Sequence, residues 1–261
     1  MAIVNFSHFV MDIEYSFKSA LLSQAESGLI DHESRLDECC AMAKCFADVQ
    51  GGIAVVSDLL KDRSYIFSGG LGESLGLKTS TVIESAFEDI IFSLIAPQDL
   101  LDRHVLELRY IELIKTLPVE KRGDYIQSSK VNLHVNGAEI PIIHQTRYFE
   151  ITDSGSVNIG ICTYMPIGVC RTEPFEGQII NLKTGKALSL EELGIVDSKI
   201  LSIREREVLA LLSQGMASKQ IADKLNISLN TVYRHRQNIL QHLNVANTAE
   251  AVKIGLKMNL I

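Results

Sequence analysis

Residues 201–261 read LSIREREVLALLSQGMASKQIADKLNISLNTVYRHRQNILQHLNVANTAEAVKIGLKMNLI, and this stretch decides the fold of the C-terminal part. Apolar residues at helical spacing predict one helix from Ser218 to Leu225 and a second from Ser228 to about Leu243. Ser228 is a favourable N-cap for the second helix. Only Asn226 and Ile227 separate the two, so the helices must cross at a steep angle. This is the pattern of a helix-turn-helix, whose second helix can enter the major groove of DNA.

The second predicted helix carries basic residues and no carboxylate between Ser228 and Leu243. An apolar stripe that includes Val232 and Ile239 can pack it onto its neighbours. Its other faces present side chains that donate or accept hydrogen bonds at base edges and phosphates. These are Asn230, Thr231, Tyr233, Arg234, Gln237, Asn238 and Gln241. An ordinary solvated polar helix is the alternative, but it does not account for an acid-free face beside a helix-turn-helix.

The same segment resembles the LuxR-type DNA-binding domain, a four-helix module of bacterial transcription regulators. The matching positions are Leu201, Ser202, Arg204, Glu205, Glu207, Val208, Leu209, Gly215, Ser218, Lys219, Ile221, Ala222, Ile227, Ser228, Thr231, Val232, His235, Asn238, Ile239 and Leu243. The motif is very specific because so many residues match in one register, but it covers only the last quarter of the chain. Tyr233 is a departure, since the family usually has Lys there.

The resemblance implies roles for individual side chains. The expected base contacts are Tyr233, Arg234 and Gln237. The expected phosphate contacts are Lys219, Ser228, Asn230, Thr231 and Arg236. For His235, packing or hydrogen bonding within the domain is the alternative to DNA contact. A module this small is expected to bind as a homodimer on two half-sites.

Local chemistry predicts how the first helix of this module begins and ends. Ser202 can cap it and Glu205 can complete a capping box. Gly215 can end it in a left-handed conformation. Glu205 and Glu207 would repel phosphate, so we expect both to pair with basic neighbours.

Charge is distributed unevenly between the two parts of the chain. The whole chain of 261 residues has a formal net charge of −7, which is unusual for a DNA-binding protein. Residues 198–261, however, hold 9 Lys and Arg against 4 Asp and Glu, a net +5, and the preceding residues hold −12. The basic part is therefore suited to a polyanion, which the acidic part should repel.

Nothing in the sequence predicts export or a membrane span. The first residues lack a basic segment and include Asp12 and Glu14, and no apolar run approaches the roughly 20 residues that cross a bilayer. A cytoplasmic protein with reduced thiols is expected. The five cysteines are Cys39, Cys40, Cys45, Cys162 and Cys170. Their spacing fits no metal pattern, and core packing is the main interpretation, with redox sensing or metal binding as alternatives.

The N-terminal part begins with two predicted helices in residues 1–49, broken near Gly28 to Asp31. A strand from Gly51, a turn through Lys61 to Arg63 and a second strand follow. Helices are predicted around Ser80 to Leu94 and Leu100 to Thr116, the latter capped by Asp99. Strands are then predicted over Tyr125–Val135, Glu139–Glu150 and Val157–Met165, the first two joined by an Asn136-Gly137 hairpin turn.

This order of elements over residues 50–165 resembles a PAS domain, a five-stranded antiparallel sheet with helices over one face. The segment from Ile95 to Leu100 is similar to the step that precedes the long connecting helix of PAS domains. The fold class is therefore predicted as α+β, with a PAS-like sensor domain followed by an all-α four-helix LuxR-type domain at 200–261. Residues 166–199 form the connector, with a small hairpin around Lys183 to Gly185 and a short helix at Glu191 to Leu193 capped by Ser189.

The signal that such a sensor half would detect is not encoded in any recognisable motif. The chain lacks the alternating order of a receiver domain, the tryptophans of the acyl-homoserine-lactone type, a phosphate loop and the flavin-binding PAS motif. His104, His134 and His144 are candidate haem or metal ligands, but lone histidines more often have structural roles. No cofactor is predicted, and an unidentified small ligand is the expectation for the PAS-like domain.

An enzyme is the competing class of function. The sequence has no GxSxG, HExxH or recognisable Cys-His arrangement, although Cys162 and His144 can meet on the sheet. We therefore expect a one-component bacterial transcription regulator that binds double-stranded DNA, with RNA polymerase as a candidate partner. Its PAS-like half senses a small ligand or mediates dimerisation. The alternative is that this half binds only a partner protein.

Overall fold

An antiparallel sheet of eight strands forms the body of the N-terminal part, in the order β3-β2-β1-β6-β5-β4-β7-β8. The structure is a computed structural model and describes residue 22 and residues 32–152, 156–167 and 177–261. The strands are β1 Ile53–Asp58, β2 Arg63–Ser68, β3 Ser80–Ile83, β4 Tyr125–Val135, β5 Ala138–Ile151, β6 Val157–Pro166, β7 Gln178–Asn181 and β8 Lys186–Ala187. The predicted five strands are therefore too few.

The central hairpin of the sheet follows from its turn residues. Asn136 and Gly137 both have positive φ, 50° and 82°, as the type I′ turn requires. Val135 then pairs with Ala138, and the ladder continues to Gln127 opposite Thr146. The bounds predicted for β4, β5 and β6 agree with the structure to within a few residues.

Helices cover both faces of the sheet. Helix α1, His32–Gln50, places Leu36, Cys39 and Ala43 against one face, where they meet strand residues such as Ala54. The other predicted N-terminal helix lies outside the described residues. Short helices α2 Gly70–Ser74 and α3 Asp89–Phe92 precede the long helix α4, Pro97–Thr116, and α5 is Val119–Arg122. Because both faces are covered, every residue of β1 is buried.

Two sequence predictions around α4 are wrong. The helix expected from Ser80 to Leu94 contains instead the edge strand β3, which pairs with β2, and the short α3. The β-branched pattern of Ser80–Ile83 suits a strand. Asp99 does not cap α4, because the helix begins at Pro97, a residue favoured at the first helical position. The Asp99 carboxylate instead accepts hydrogen bonds from Asn132 on β4, including its backbone N–H at 2.8 Å.

Residues 166–199, predicted as a connector, contain regular secondary structure in their described part. The predicted hairpin exists, but β7 pairs with β4 and so extends the main sheet. Helix α6, Leu190–Ile200, has the predicted cap, with Ser189 and Glu192 forming a capping box. It is, however, much longer than the predicted Glu191 to Leu193. Regular structure therefore continues through most of 177–200.

The C-terminal part consists of helices α7 Ile203–Ser213, α8 Ser218–Leu225, α9 Leu229–His242 and α10 Thr248–Lys257. Ser202 and Glu205 form the predicted capping box at the start of α7. Gly215 has a φ of 79° just beyond the end of that helix, as predicted. Helices α8 and α9 match their predicted bounds, and Ser228 is the N-cap of α9.

The four described cysteines differ in their exposure. Cys39 and Cys162 are buried, Cys45 is exposed, and Cys170 lies outside the described residues. Burial raises the pKa of Cys40 to about 11, which disfavours a reactive thiolate. Within the described ranges no group of three or more His, Cys, Asp or Glu is arranged to hold a metal ion. In the same part of the chain, no helix has the length and apolarity needed to cross a membrane.

Candidate DNA-binding interface and sensor cavity

The turn between α8 and α9 is held by local backbone geometry. Asn226 adopts the left-handed conformation, φ 52°, which asparagine tolerates better than most residues. The Ile227 amide then donates to Ala222 O at 3.0 Å. At the start of α9, Ser228 Oγ accepts from the Thr231 amide at 3.1 Å. These contacts fix the direction in which α9 leaves the turn.

One side of α9 anchors it and the other side is open. Val232 and Ile239 are buried, as is Leu243 at its C-terminal end. The open side presents all three predicted base-contact residues, since Tyr233, Arg234 and Gln237 are exposed. Asn230 and Leu229 lie on the first turn and are also exposed. The result is a protruding helix face that carries hydrogen-bonding groups and no acid.

The predicted phosphate contacts fall into two groups. Lys219, Ser228 and Asn230 are exposed, at the N-terminal ends of α8 and α9, where free backbone N–H groups favour anions. Thr231 is half-buried, and its Oγ1 lies 2.8 Å from Ser228 Oγ. Arg236 is the fifth of these residues and differs from them in its contacts.

Arg236 joins three helices of the C-terminal part. Its Nη1 donates to Ser218 Oγ on α8 at 2.7 Å, and its Nη2 donates to Thr248 Oγ1 on α10 at 2.9 Å. Ser218 is itself buried. Two of the guanidinium nitrogens therefore form hydrogen bonds within the domain. A phosphate contact by Arg236 would have to use its remaining N–H groups, and it stays a prediction.

Glu205 and Glu207 are paired with basic neighbours, as expected from the sequence. The buried Glu205 accepts from the Ser202 amide at 2.9 Å and lies 3.4 Å from His242 Nδ1. Burial alone would raise the pKa of Glu205, but the Ser202 hydrogen bonds and the nearby His242 outweigh it and lower the pKa below its usual value. Glu207 pairs with Arg204 at 2.6 Å. The charges of these two acids are thus partly offset by neighbouring donors.

His235 is half-buried rather than exposed. Its Nδ1 is buried and has no hydrogen-bond partner among the described residues. This placement fits a packing role within the domain and does not exclude a contact through the other ring nitrogen. The choice that the sequence left open for His235 therefore stays open.

The N-terminal part contains a buried cluster of charges that sequence reasoning missed. Arg103 and Glu107, one turn apart on α4, are almost fully buried and 3.2 Å apart. The Arg103 guanidinium lies 4.4 Å from the centroid of the Phe92 ring. Tyr148 on β5 donates to Glu107 at 3.0 Å. A cavity of about 30 Å³ adjoins this cluster, enough for about two water molecules.

A second carboxylate faces the same cavity. Glu88 is buried and accepts a hydrogen bond from the Tyr164 hydroxyl. Burial raises the pKa of Glu88, although the Tyr164 bond and the charge of Arg103 oppose the rise. Buried charges cost stability unless they are well paired, so the cluster is not explained by packing alone. Charged residues at i and i+4 usually indicate a solvated helix face; the signal here was their position among the apolar residues of α4.

Helix α4 contacts the C-terminal part on its other side. His104, next in sequence to Arg103, is fully buried, and its Nε2 lies 3.4 Å from the carbonyl oxygen of Leu243 at the end of α9. Burial lowers the pKa of His104 to about 3, so the ring is neutral and can donate there. Arg109 forms a bidentate pair with Asp197 of α6, both bonds 2.8 Å. A further ion pair joins Asp102 of α4 to Lys257 of α10.

The three candidate histidines do not converge. His134 is exposed and 3.8 Å from Glu139, whereas His144 is fully buried, opposite Ser129. Burial holds the pKa of His144 well below its usual value. Thr146 lies 3.4 Å from His144 Nε2 and 3.5 Å from the thiol of Cys162, so it bridges the one pair that the sequence suggested could meet.

Comparison with known families identifies the C-terminal part. Residues 199–254 match the family described as bacterial regulatory proteins, luxR family. The oxygen regulatory protein NreC of Staphylococcus carnosus is 43% identical over 63 residues, which is 24% of this chain and 29% of that protein. NreC of Staphylococcus epidermidis matches with the same identity and shares. The chain thus spans less than a third of these curated relatives. Its C-terminal segment is a LuxR-family helix-turn-helix domain.

A weaker likeness extends over more of the chain. The structure of the Vibrio cholerae VqmA dimer without target DNA, described as a LuxR-type receptor, is 17% identical and covers 83% of this chain and 86% of that one. The TM-score is 0.29, too low for the likeness to define the arrangement of the N-terminal part.

Proposed function

We propose that this protein is a sequence-specific DNA-binding transcription regulator of the one-component type. The observation that carries the proposal is the open, acid-free face of α9 within a LuxR-family helix-turn-helix. Two carboxylates of α7, Glu205 and Glu207, are engaged by Ser202, His242 and Arg204, and α9 itself carries basic and polar groups and no acid. Such a helix enters the major groove, where base edges can be read directly.

Side chains on this face divide into those that read bases and those that hold phosphates. Tyr233, Arg234 and Gln237 are exposed on α9 and are assigned to bases. Phosphate contacts are assigned to Lys219, Ser228, Asn230, Thr231 and Arg236. Because one small module makes few contacts, a homodimer on two half-sites is proposed, with RNA polymerase as a further partner.

The test of DNA reading is selection of a preferred duplex by the purified chain, followed by affinity measurements on it. Arg234→Ala should cost roughly 1–3 kcal/mol and relax the preference at one base pair, because a bidentate base contact is lost. Lys224→Ala is the matched control, since Lys224 is an exposed cation of the same domain on α8 and is assigned to no DNA contact. Equal losses in both variants, or an unchanged consensus with Arg234→Ala, would contradict the assignment.

For the N-terminal part we propose a sensor that binds a small ligand next to the cluster of Glu88, Arg103 and Glu107. The adjoining cavity of about 30 Å³ has room for only about two water molecules, so ligand binding requires it to widen. The support is chemical: several buried polar groups converge there on one side of α4. The other side of α4 contacts the end of α9 through His104. A PAS-like domain that only dimerises, or that binds a partner protein and senses no ligand, is the competing function.

Native intact-mass measurement separates these functions. The protein is purified without added ligand, and the mass of the assembly is compared with that of the bare chain. A dimer with a discrete additional mass, lost in a Glu107→Gln variant that remains folded, supports ligand sensing. A bare dimer, with no mass change after exposure to cell metabolite extract, contradicts it and favours dimerisation or a protein partner.

A further inference from the structure

Two side chains on the open face of α9 add apolar surface to it: Leu229, whose side chain has no hydrogen-bonding group, and Tyr233, whose ring is apolar although its hydroxyl can hydrogen-bond. Leu229 is the first residue of the helix and is 38% exposed, and Tyr233 is 48% exposed. They are four positions apart, so they lie side by side on one face. A scattered apolar side chain on a surface needs no explanation. These two are adjacent, however, and they lie among Asn230, Arg234 and Gln237 on the surface assigned to DNA.

The edges of the base pairs restrict what such a pair can contact. In the major groove, adenine, guanine and cytosine present only hydrogen-bond donors and acceptors, whereas thymine adds its C5-methyl group. Leu229 has no polar atom, so pressing it against a polar edge would remove water from that edge without a replacement bond. When Leu229 packs against a methyl group, apolar surface of both the leucine side chain and the methyl group is removed from water, which is favourable.

The position of Leu229 on the helix makes this contact relevant. In helix-turn-helix complexes, the N-terminal residues of the second helix meet the base edges. Leu229 directly follows the N-cap Ser228, whose hydroxyl is occupied by the Thr231 amide. Leu229 therefore lies at the end of α9 that is expected to meet the base edges.

We propose that Leu229 is a specificity-determining residue that reads a thymine methyl group in the target DNA, with the ring of Tyr233 meeting a second thymine. The proposal rests on the DNA-binding function proposed above and deepens it, because it names a feature of the target. Four residues span about 6 Å of helix and base pairs are about 3.4 Å apart. The two thymines are therefore one to two base-pair steps apart within a half-site.

The test removes the methyl groups from the DNA one at a time. Each thymine of the selected duplex is replaced by deoxyuridine, which keeps base pairing and lacks only the C5-methyl group. Affinities are measured for the full-length protein and for Leu229→Ala. Burial of one methyl group corresponds to about a fourfold change in affinity. Within a half-site, the protein should lose about fourfold in affinity at each of two thymines. Leu229→Ala should be insensitive at the thymine that Leu229 meets and keep its sensitivity at the thymine that Tyr233 meets.

A matched control uses another exposed leucine of the same domain. Leu256 on α10 is 55% exposed, and Leu256→Ala should keep the full deoxyuridine penalty at every position. The ratio of affinities for thymine and deoxyuridine is compared within each variant, so a general change in affinity or dimerisation cancels.

Three results would overturn the proposal. The protein could bind its selected duplex with no deoxyuridine-sensitive position, or Leu229→Ala could keep every penalty unchanged. Leu229→Ala could also alter only the mass of the assembly, which would place Leu229 between protein copies. Absence of any sequence-selective binding is a different outcome, because it refutes the proposed function itself.

Discussion

Replacement of Arg236 by alanine should destabilise the C-terminal domain, although Arg236 lies on a helix whose other exposed residues are assigned to DNA. The change removes two hydrogen bonds from a charged donor, to Ser218 at 2.7 Å and Thr248 at 2.9 Å. Hydrogen bonds to charged groups contribute roughly 1.5–3 kcal/mol each. Because Arg236 is half-buried and its partners are hydroxyls, we expect the lower end for each, a total of about 3 kcal/mol.

Hydrogen–deuterium exchange of the full-length protein can measure this loss within the domain. Peptides from α8, α9 and α10 report the local free energy of opening, so the N-terminal part does not obscure the result. Arg234→Ala is the matched control: Arg234 is exposed on the same helix, and surface substitutions usually change stability by less than about 0.5 kcal/mol. Arg236→Lys should be intermediate, since one ammonium group replaces a planar fork.

Two outcomes bear on Arg236 separately. If protection of α8 and α10 is unchanged in Arg236→Ala, the clamp does not contribute to stability and the reasoning is refuted. The salt dependence of DNA binding addresses the phosphate contact independently, because a lost contact lowers the slope of log K against log salt concentration by about one. A destabilised variant with an unchanged slope would assign Arg236 to the domain alone.

The other predictions concern charge, acidity and the contacts of α4. Lys219→Ala should weaken binding to all duplexes alike and lower the salt slope by about one; an unchanged slope would show that Lys219 does not touch phosphate. In the folded protein the pKa of His104 is about 3, below the value near 6.5 that histidine has in an unfolded chain. The stability contributed by the neutral ring is therefore fully present above pH 6.5 and is lost as the pH falls below that value. In urea unfolding, the free energy of unfolding of His104→Gln should fall by about 1.4 kcal/mol less per pH unit than that of the unmodified protein. The same dependence of that free energy on pH in both proteins would contradict this. Asp197→Ala should cost about 2 kcal/mol through the lost pair with Arg109, seen as faster amide exchange in α6; unaltered exchange would argue against it.

The elements that could be predicted from sequence are those fixed by local chemistry. Asn226 tolerates a left-handed backbone, Ser228 caps the next helix, and Gly215 ends an earlier one, so the helix-turn-helix is specified within a few residues of itself. The Asn136-Gly137 turn fixes the register of β4 and β5 in the same way. In each case the structure agrees because no distant partner is needed to decide the conformation.

The wrong predictions concern segments whose conformation or contacts depend on a distant part of the chain. Ser80–Ile83 is short and becomes a strand only because β2 offers it an edge. The hairpin at 178–187 was expected, but its pairing with β4 depends on residues 50 to 56 positions away. Asp99 is a good cap by type, yet Pro97 begins the helix and Asn132 takes the carboxylate.

In the candidate site, too, features fixed by local sequence could be predicted, whereas features that depend on distant residues could not. The side chains of α9 could be assigned to its open face from the helical period alone. The clamp by Arg236 could not, since Ser218 and Thr248 come from two other helices. The cluster of Arg103 and Glu107 could not be recognised either, because Tyr148, which completes it, lies on a strand about 40 residues away.

Two adjacent residues of α4 connect the proposed ligand site to the DNA-binding helix. Arg103 faces the cavity and His104 contacts the last turn of α9. In the proposed sensor, a ligand that shifts α4 at Arg103 would also change the energy of the His104 contact. A ligand can shift α9 only by as much as its affinity differs between the two arrangements. The coupling is also reciprocal, so target DNA that favours one arrangement must change the affinity for the ligand by the same factor.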